Sequence, residues 1–402
     1  MSKPVSHPTL STLAPAEPDA IPIVDAHCHA MRPLSGRLTV SGLERRISLS
    51  FMEQNQPDRA RRPAVRDWSS QTLPRPTLML TYLYRHLAEF LGVPPEPEQV
   101  VAAREERAQD FPAYVQSLMR DAGIAQLVVD SGYPGDVPCD ELAATVRLPV
   151  WEVVRIERVM AEAAATAPDF DRFVESVQVR LEEGLRDPRC VGLKSVIAYL
   201  SGLAIGPEDP AAAAAEYADF CRQPFGRGFK ALRDCVFHLG MKLCMAHDKP
   251  LQVHCGFGDD DICFSLAAPR YLYELLAFPP YSGCLVVLVH GGHPWAREAA
   301  IMANLLPNVY LDISQTCPFI SYGVADLLWE VLQIAPVGKV MYGSDAFHLP
   351  ELYWLGAKLG RYAAGAVVDR LVSAGFATRA EGQQLARSVL HDNAVDLYGL
   401  PD

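Results

Sequence analysis

Short apolar segments alternate with helical patterns along most of this chain, and the alternation restricts the fold more than any other feature. One candidate strand lies in the stretch 21–30 and seven follow Gly123, at 125–130, 150–157, 190–196, 250–255, 284–290, 309–313 and 339–345. Parallel strands joined by helices are buried on both faces, so they are continuously apolar. Eight such strands predict an α/β fold, the (β/α)8 or TIM barrel.

The segment between the first and second strands contains helical patterns and no convincing strand. Residues 76–91 carry apolar side chains at helical spacing, and residues 96–119 are amphipathic with an interruption near Pro112. We predict a helical insertion at residues 40–120, where the loops that follow barrel strands emerge. Residues 1–18, rich in Pro, Ser and Ala, are predicted to form a flexible tail, and residues 19–402 a single domain.

Residue types that bind metal ions recur where the predicted strands end. His27 and His29 are two residues apart, so both imidazoles face the same side of an extended strand. The other candidates, each at the end of a later strand, are Lys194, His254, His290 and Asp345. In a barrel these ends converge on one mouth. Imidazoles and carboxylates are ligands of Zn²⁺, the ion we expect, with Mn²⁺ as the alternative.

A metal ion at such a mouth would activate water as a nucleophile. Asp345 would then take the proton as base and return it as acid to the leaving group. Taken singly, His254 and His290 could be hydrogen-bonded core residues, Asp345 a helix cap and Lys194 the partner of a carboxylate. The coincidence of all these residues at strand ends favours one site.

The composition excludes several classes of function. A net charge of −12 argues against a nucleic-acid surface and a basic membrane-binding face, which leaves a small-molecule substrate. No segment has the apolar length of a membrane span, and the first twenty residues do not match a secretory signal. The ten cysteines include no CxxC pair and indicate buried thiols without disulfides. We therefore expect a cytoplasmic protein.

Several sequence blocks resemble a known family. They are Asp25-Ala-His27-Cys-His29, Gly192-Leu-Lys194-Ser-Val-Ile-Ala-Tyr199, Pro250-Leu-Gln-Val-His254-Cys-Gly-Phe-Gly-Asp259, Pro307-Asn-Val-Tyr-Leu-Asp312 and Met341-Tyr-Gly-Ser-Asp345-Ala346. The pattern resembles the amidohydrolase superfamily and, more closely, its amidohydrolase-2 branch. Within that branch it is similar to the domain that plants and fungi fuse to a glutamine-synthetase-like domain. The resemblance covers most of residues 20–400 and is weak through the helical insertion.

The resemblance implies a barrel that carries one or two divalent ions and hydrolyses a C–N bond. It makes His27 and His29 ligands from the first strand, His254 and His290 ligands from the fifth and sixth, and Asp345 the base. His290 is expected to be catalytic as well as a ligand. In two-metal relatives a lysine comparable to Lys194 is carboxylated and bridges the ions, whereas several single-metal members lack it. The number of ions therefore stays open.

Four further residues are expected to line the substrate pocket: Arg155, Tyr199, Asp259 and His293. An Arg can bind a carboxylate and an Asp an ammonium group, so the pocket would suit an amino-acid-like end of a substrate. An ion pair within the rim fits these residues equally well. Asp25 precedes the histidine pair and is expected to orient a ligand.

Three functions remain open from the sequence. The leading one is a metal-dependent hydrolase of an amide, in particular a γ-glutamyl amide, with lactones within the same mechanism. The alternative is a metal-dependent non-oxidative decarboxylase of the same branch, against which Lys194 argues. A scaffold that has kept only the fold is the third. We also expect a homodimer, with the helical insertion as a candidate contact surface.

Overall fold

A computed structural model describes residues 21–47, 49, 77–135 and 137–402, and the tail predicted at residues 1–18 lies outside them. Eight parallel strands pair in chain order around a single sheet. Their bounds are β1 Ile23–His29, β2 Ile124–Asp130, β3 Val150–Arg155, β4 Cys190–Ser195, β5 Leu251–His254, β6 Val286–Val289, β7 Val309–Asp312 and β8 Val340–Met341. The TIM-barrel class predicted from the sequence is confirmed.

Backbone hydrogen bonds bring β1 against the chain that follows β8. Ala26 N–H donates to the carbonyl of Tyr342 at 3.1 Å, and His29 N–H to that of Ala346 at 2.8 Å. Between them, Asp345 N–H donates to the carbonyl of His27 at 2.8 Å. The first and last strands are thereby joined, and Asp345 is fixed opposite the histidine pair.

Helices occupy the connections between the strands. Their bounds are α1 Val40–Arg46, α2 Leu78–Leu91, α3 Pro97–Arg107, α4 Phe111–Ala122, α5 Cys139–Val146, α6 Ile156–Ala164, α7 Phe170–Arg186, α8 Pro210–Arg222, α9 Lys230–His247, α10 Tyr273–Ala277, α11 Ala296–Leu305, α12 Thr316–Phe319, α13 Val324–Leu332, α14 Pro350–Ser373, α15 Arg379–Arg387 and α16 Asn393–Tyr398. Within the described residues no helix combines the length and the apolar character that crossing a bilayer requires. All ten cysteines are free thiols.

Between β1 and β2 the structure describes the helices α1 to α4. Residues 48 and 50–76 of the predicted insertion lie outside the described residues, so the insertion as a whole stays a prediction. The interruption predicted near Pro112 lies at residues 108–110 instead. Asp110 caps α4 through a hydrogen bond from Ala113 N–H, and Pro112 lies in the first turn of the helix. Proline is tolerated there because the N–H groups of the first turn have no intrahelical acceptor, so the missing N–H of proline costs no hydrogen bond.

Several predicted strands extend too far at their C-terminal ends. The predicted strand 150–157 ends at Arg155, and Glu157 belongs to the first turn of α6. His290 and Asp345 lie beyond β6 and β8, in left-handed backbone with φ of 69° and 55°. A strand cannot continue through that conformation, so both side chains are presented from turns.

A buried salt bridge joins α3, one of the helices after β1, to α14, the long helix that follows β8. Glu351 Oε1 accepts hydrogen bonds from Arg104 Nε at 2.7 Å and from the Tyr114 hydroxyl at 2.9 Å. We expect Glu351→Gln to lower the free energy of unfolding by roughly 3 kcal/mol, because it leaves the buried Arg104 charge without its main partner. Denaturant unfolding followed by circular dichroism measures this.

The matched control is Asp369→Asn, which removes one partner of an exposed pair with Arg379. Solvent screens that pair, so the expected loss is below about 1 kcal/mol. Equal unfolding midpoints for Glu351→Gln and Asp369→Asn would contradict the stabilising role of the buried pair.

Candidate metal centre and active site

Three side chains meet where β1 faces the turn after β8. Asp345 Oδ1 lies 3.2 Å from His27 Nε2 and 3.1 Å from His29 Nε2. All three residues are buried, and their candidate ligand atoms lie within 4.8 Å of one another. This convergence follows from the alternation of β1, which sends His27 and His29 to one side, and from the bond that ties the Asp345 backbone to β1.

The remaining predicted ligands adjoin this group. Lys194 Nζ, from β4, lies 3.1 Å from His27 Nε2. His254 Nδ1 and His290 Nε2 are 2.8 Å apart, and the rings of His290 and His27 have centroids 5.5 Å apart. The structure therefore places all six predicted ligands at one mouth of the barrel.

Burial sets the charge of these groups. Burial lowers the pKa of His27 and His254, and the neighbouring Lys194 lowers both further. Burial likewise keeps the pKa of His290 well below its usual value, with His254 as the next cause. The lowered pKa values favour the neutral form of His27, His254 and His290, which is the form that binds metal ions.

The carboxylate and the amine of the group respond differently to burial. Burial alone would raise the pKa of Asp345, but His290 and hydrogen bonds from His27 and His29 outweigh it and hold the pKa well below the ordinary carboxyl value. Burial lowers the pKa of Lys194, only partly offset by Asp130 and Asp345. Asp345 is thus anionic and can serve as a ligand, and Lys194 gives up its proton more easily than an exposed lysine.

This donor set fits a divalent metal ion. His27, His29 and Asp345 supply two imidazoles and a carboxylate with converging ligand atoms, the combination found in zinc centres with an open position. His254 and His290 turn a second pair of ring nitrogens towards one another, and Lys194 lies beside His27. The arrangement can accept one ion at the first group and has nitrogen donors for another at the second.

Asp25 orients the Asp345 turn, and among the described residues it forms no hydrogen bond with an imidazole. Its carboxylate accepts hydrogen bonds from the Ser344 N–H at 2.8 Å and the Ser344 hydroxyl at 2.5 Å. Burial raises the pKa of Asp25 to about 7, against the opposing effect of the Ser344 bonds. The predicted orienting role of Asp25 is therefore directed at the residue next to Asp345.

Arg155 is engaged by a carboxylate that the sequence analysis did not select. Its guanidinium binds both oxygens of Asp130, with Nε at 3.1 and 3.0 Å. Asp130 is completely buried and also accepts a bond from Gly132 N–H. A Cβ at position 132 would collide with the Arg155 side chain, so glycine is needed for this pairing. Arg155 thus forms the ion pair that the sequence analysis gave as the alternative to a substrate contact. Asp130 could have been identified as its partner from its place at the end of the second predicted strand.

Tyr199 and Asp259 form one wall of the mouth. The Tyr199 ring lies edge-on to His254 with centroids 4.6 Å apart, and its hydroxyl accepts a hydrogen bond from Asp259 N–H at 3.2 Å. Burial, followed by the charges of Asp261 and Asp345, raises the pKa of Asp259 to about 8. A carboxyl so perturbed marks a place where a cation would be favoured.

His293 packs against Phe257. Its carbonyl accepts a hydrogen bond from Phe257 N–H at 2.7 Å, and its ring lies edge-on to Phe257 at 5.4 Å. Tyr133 lies beside the first ligand group: its ring is 5.8 Å from that of His29, and its hydroxyl is 2.9 Å from His348 Nε2. Sequence patterns did not identify Tyr133 or His348, because both lie in loops whose course a single sequence does not reveal.

Comparisons with known proteins agree with this geometry. Protein fluG of Emericella nidulans is 29% identical over 277 residues, which cover 66% of this chain and 32% of fluG, so the chain spans about a third of that relative. The structure of a candidate metal-dependent hydrolase from Lactobacillus casei has a TM-score of 0.78 at 23% identity, covering 95% of this chain and 96% of that one. Uronate isomerase of Thermotoga maritima has a TM-score of 0.61 at 15% identity, covering 97% and 96%.

At these identities the solved structures show that the fold is shared, and they do not identify a substrate for this chain. The family model described as amidohydrolase, of the amidohydrolase-2 type, matches residues 24–400. That match includes residues of every strand of the barrel and all six residues of the candidate metal centre. The chain therefore belongs to the amidohydrolase family.

Proposed function

We propose that this protein is a metal-dependent hydrolase that cleaves the C–N bond of a small-molecule amide. The observation that carries the proposal is the meeting of His27, His29 and Asp345 within 4.8 Å, with Lys194 and the His254–His290 pair beside them. A structural role for this cluster is unfavourable, since burying so many ionisable groups without a cation is costly. Membership of the amidohydrolase family supports an enzyme.

The residues of the mouth have separable roles in such a reaction. A divalent ion held by His27, His29 and Asp345 would make water a nucleophile near neutral pH and polarise the substrate carbonyl. Asp345 stays ionised and can take a proton and then pass it to the leaving nitrogen. His254 and His290 lie beside this group and offer a pair of ring nitrogens to a second ion.

The substrate is proposed to present an ammonium group to Asp259. The charge of Arg155 lowers the pKa of Asp259, but the Arg155 guanidinium is already hydrogen-bonded to Asp130. An incoming ammonium would therefore offset the mutual repulsion of Asp259 with Asp261 and Asp345. A γ-glutamyl amide has such a group, and the resemblance to domains fused to a glutamine-synthetase-like partner supports this choice.

We expect Asp259→Asn to raise stability and to impair substrate binding. The folded pKa of Asp259, about 8, exceeds the unfolded value of about 4, so the folded state holds this proton more tightly. The contribution of Asp259 to the free energy of unfolding is therefore fully present below about pH 4 and is lost as the pH rises through 8. The variant should gain stability over wild type across that range. Thermal unfolding at pH 5 and pH 8.5 measures it.

The same variant should lose kcat/KM by about 10- to 100-fold for amides with a free α-amino group, the scale of one charged hydrogen bond. The matched control is the same amide with that amino group removed, for which the two proteins should be equally active. An equal loss on both amides would refute an ammonium contact.

Metal dependence tests the hydrolase itself. Chelator-treated protein should lose activity on a panel of amides, and Zn²⁺ or Mn²⁺ should restore it, while circular dichroism shows that the barrel stays folded. γ-Glutamyl amides should rank first in the panel, with simple amides and lactones behind them. A folded, metal-loaded sample that hydrolyses no amide would refute the proposed reaction.

Decarboxylation is the second candidate, favoured by one specific contact. Removal of CO₂ leaves a carbon that must receive a proton. In a one-ion centre, a proton taken up from water between His254 and His290, whose facing nitrogens are 2.8 Å apart, would supply it. Release of ¹³CO₂ from aromatic or muconate-like acids, in place of an amine from amides, would select this reaction.

A further inference from the structure

Asp312 begins a buried hydrogen-bonded chain that ends on the ring of His290. Asp312 Oδ1 accepts hydrogen bonds from the backbone N–H groups of His290 at 3.0 Å and Ser314 at 2.9 Å. The Ser314 hydroxyl contacts the same oxygen and lies 2.9 Å from His290 Nδ1. Asp312 and Ser314 are fully buried and His290 is nearly so, so bulk water does not compete for these bonds.

The direction of each bond follows from which atoms carry hydrogen. Two backbone N–H groups already point at Asp312 Oδ1, so this oxygen is an acceptor, and the single Ser314 proton is donated to it. Ser314 Oγ then offers only lone pairs to His290. The hydrogen in this contact must therefore lie on His290 Nδ1, and a neutral His290 has its lone pair on Nε2.

His254 is fixed in the complementary way. Its Nε2 lies 3.0 Å from the carbonyl oxygen of Phe257, which can only accept, so Nε2 carries the hydrogen and Nδ1 the lone pair. The loop reaches His254 this closely because residue 258 is glycine: a Cβ there would lie 3.1 Å from His254 Nε2 and would collide with the Tyr199 hydroxyl.

The two lone pairs consequently face one another across 2.8 Å. Such an arrangement is repulsive unless a cation lies between the nitrogens. We propose that Asp312, acting through Ser314, and the Phe257 carbonyl are positioning groups that hold His290 and His254 in the tautomers that bind a divalent cation between them. The inference rests on the proposed function in taking a metal ion as the occupant, and it assigns to these groups a role in loading the second ion.

Zinc binding tests the role of Ser314. Metal-free wild type and Ser314→Ala are titrated with Zn²⁺ against a chromophoric chelator, and His290→Gln identifies which binding step belongs to the histidine pair. We expect Ser314→Ala to weaken that step by about 10- to 100-fold, the usual cost of removing a group that orients a metal ligand. The step at His27, His29 and Asp345 should be unchanged.

Thr316→Val is the matched control, because the Thr316 hydroxyl donates to the His290 carbonyl at 2.7 Å and leaves the ring untouched. It removes a buried hydrogen bond to the same residue, so it should lower stability comparably without weakening zinc binding. Equal zinc affinity of Ser314→Ala and wild type, or an equal loss in both variants, would overturn the proposal.

A second measurement does not depend on a variant that folds. Long-range ¹H–¹⁵N correlation spectra of metal-free wild type report which ring nitrogen of each histidine is protonated. The expected result is a hydrogen on His290 Nδ1 and on His254 Nε2, and a bare Nδ1 in His290 would overturn the inference. If wild type binds no Zn²⁺, the proposed hydrolase fails, and the ring spectra still decide the positioning role.

Discussion

Asp345→Asn is expected to lower kcat by about 10²- to 10⁴-fold, the range for losing a group that takes and returns a proton. The carboxylate also supplies the negative ligand atom nearest His27 and His29, so the first metal ion should bind more weakly. The loss of turnover should persist when Zn²⁺ is added to saturation, because an amide cannot serve as the base. Steady-state kinetics at saturating metal separate the two effects.

The variant should fold, which makes the result interpretable. Asp345 has left-handed backbone with φ of 55°, and asparagine is among the few residues that tolerate it. The Asp345 backbone bond to His27 and the Ser344 bonds to Asp25 do not involve the altered side chain. We therefore expect a melting temperature close to that of the metal-free wild type.

Glu351→Gln is the matched control for Asp345→Asn. It also converts a completely buried carboxylate into an amide, but it lies in α14 among Arg104 and Tyr114. It should lower stability and leave kcat of the folded protein unchanged. If Asp345→Asn retained activity within tenfold of wild type at saturating metal, Asp345 would not be the base, and the mechanism proposed here would be wrong.

The barrel and the set of candidate ligands follow from local sequence, because parallel strands in a barrel send their C-terminal ends to one mouth. His27 and His254 could be placed there without knowing any loop. The exact ends of the strands could not be predicted, since His290 and Asp345 lie in turns with positive φ. Those conformations depend on long-range bonds, such as the one from the Asp345 N–H to the His27 carbonyl.

Pairings between side chains were the part that sequence did not reveal. Arg155 and Asp130 both end strands, but their contact depends on the register of β2 and β3, in which Asp130 lies opposite Val153. The Asp312–Ser314–His290 chain could not be predicted either. It depends on the turn after β7, which places the Ser314 hydroxyl against the ring of His290 from the turn after β6. Register and turn geometry are set by packing of the whole barrel.

Lys194→Ala is expected to reduce the bound metal from two ions per chain to one. Lys194 is nearly inaccessible, and burial lowers the pKa of its amine, so it is more often neutral and nucleophilic than an exposed lysine. A neutral amine adds CO₂ to form a carbamate and releases a proton. Beside His27 at 3.1 Å, that carbamate would give the two nitrogen groups a shared anionic ligand, as the family resemblance implies.

Elemental mass spectrometry on protein purified without chelator or nickel measures the ions, and ¹³C NMR after exposure to ¹³C-bicarbonate detects the carbamate in wild type. Lys194→Met is the matched variant, because it keeps most of the buried volume and removes only the amine. Both variants should bind about half the metal of wild type, whereas Asp369→Asn should bind it in full. Two ions in every variant would remove Lys194 from the metal centre. One ion in wild type and variants alike would instead favour the one-ion centre and, with it, the decarboxylase.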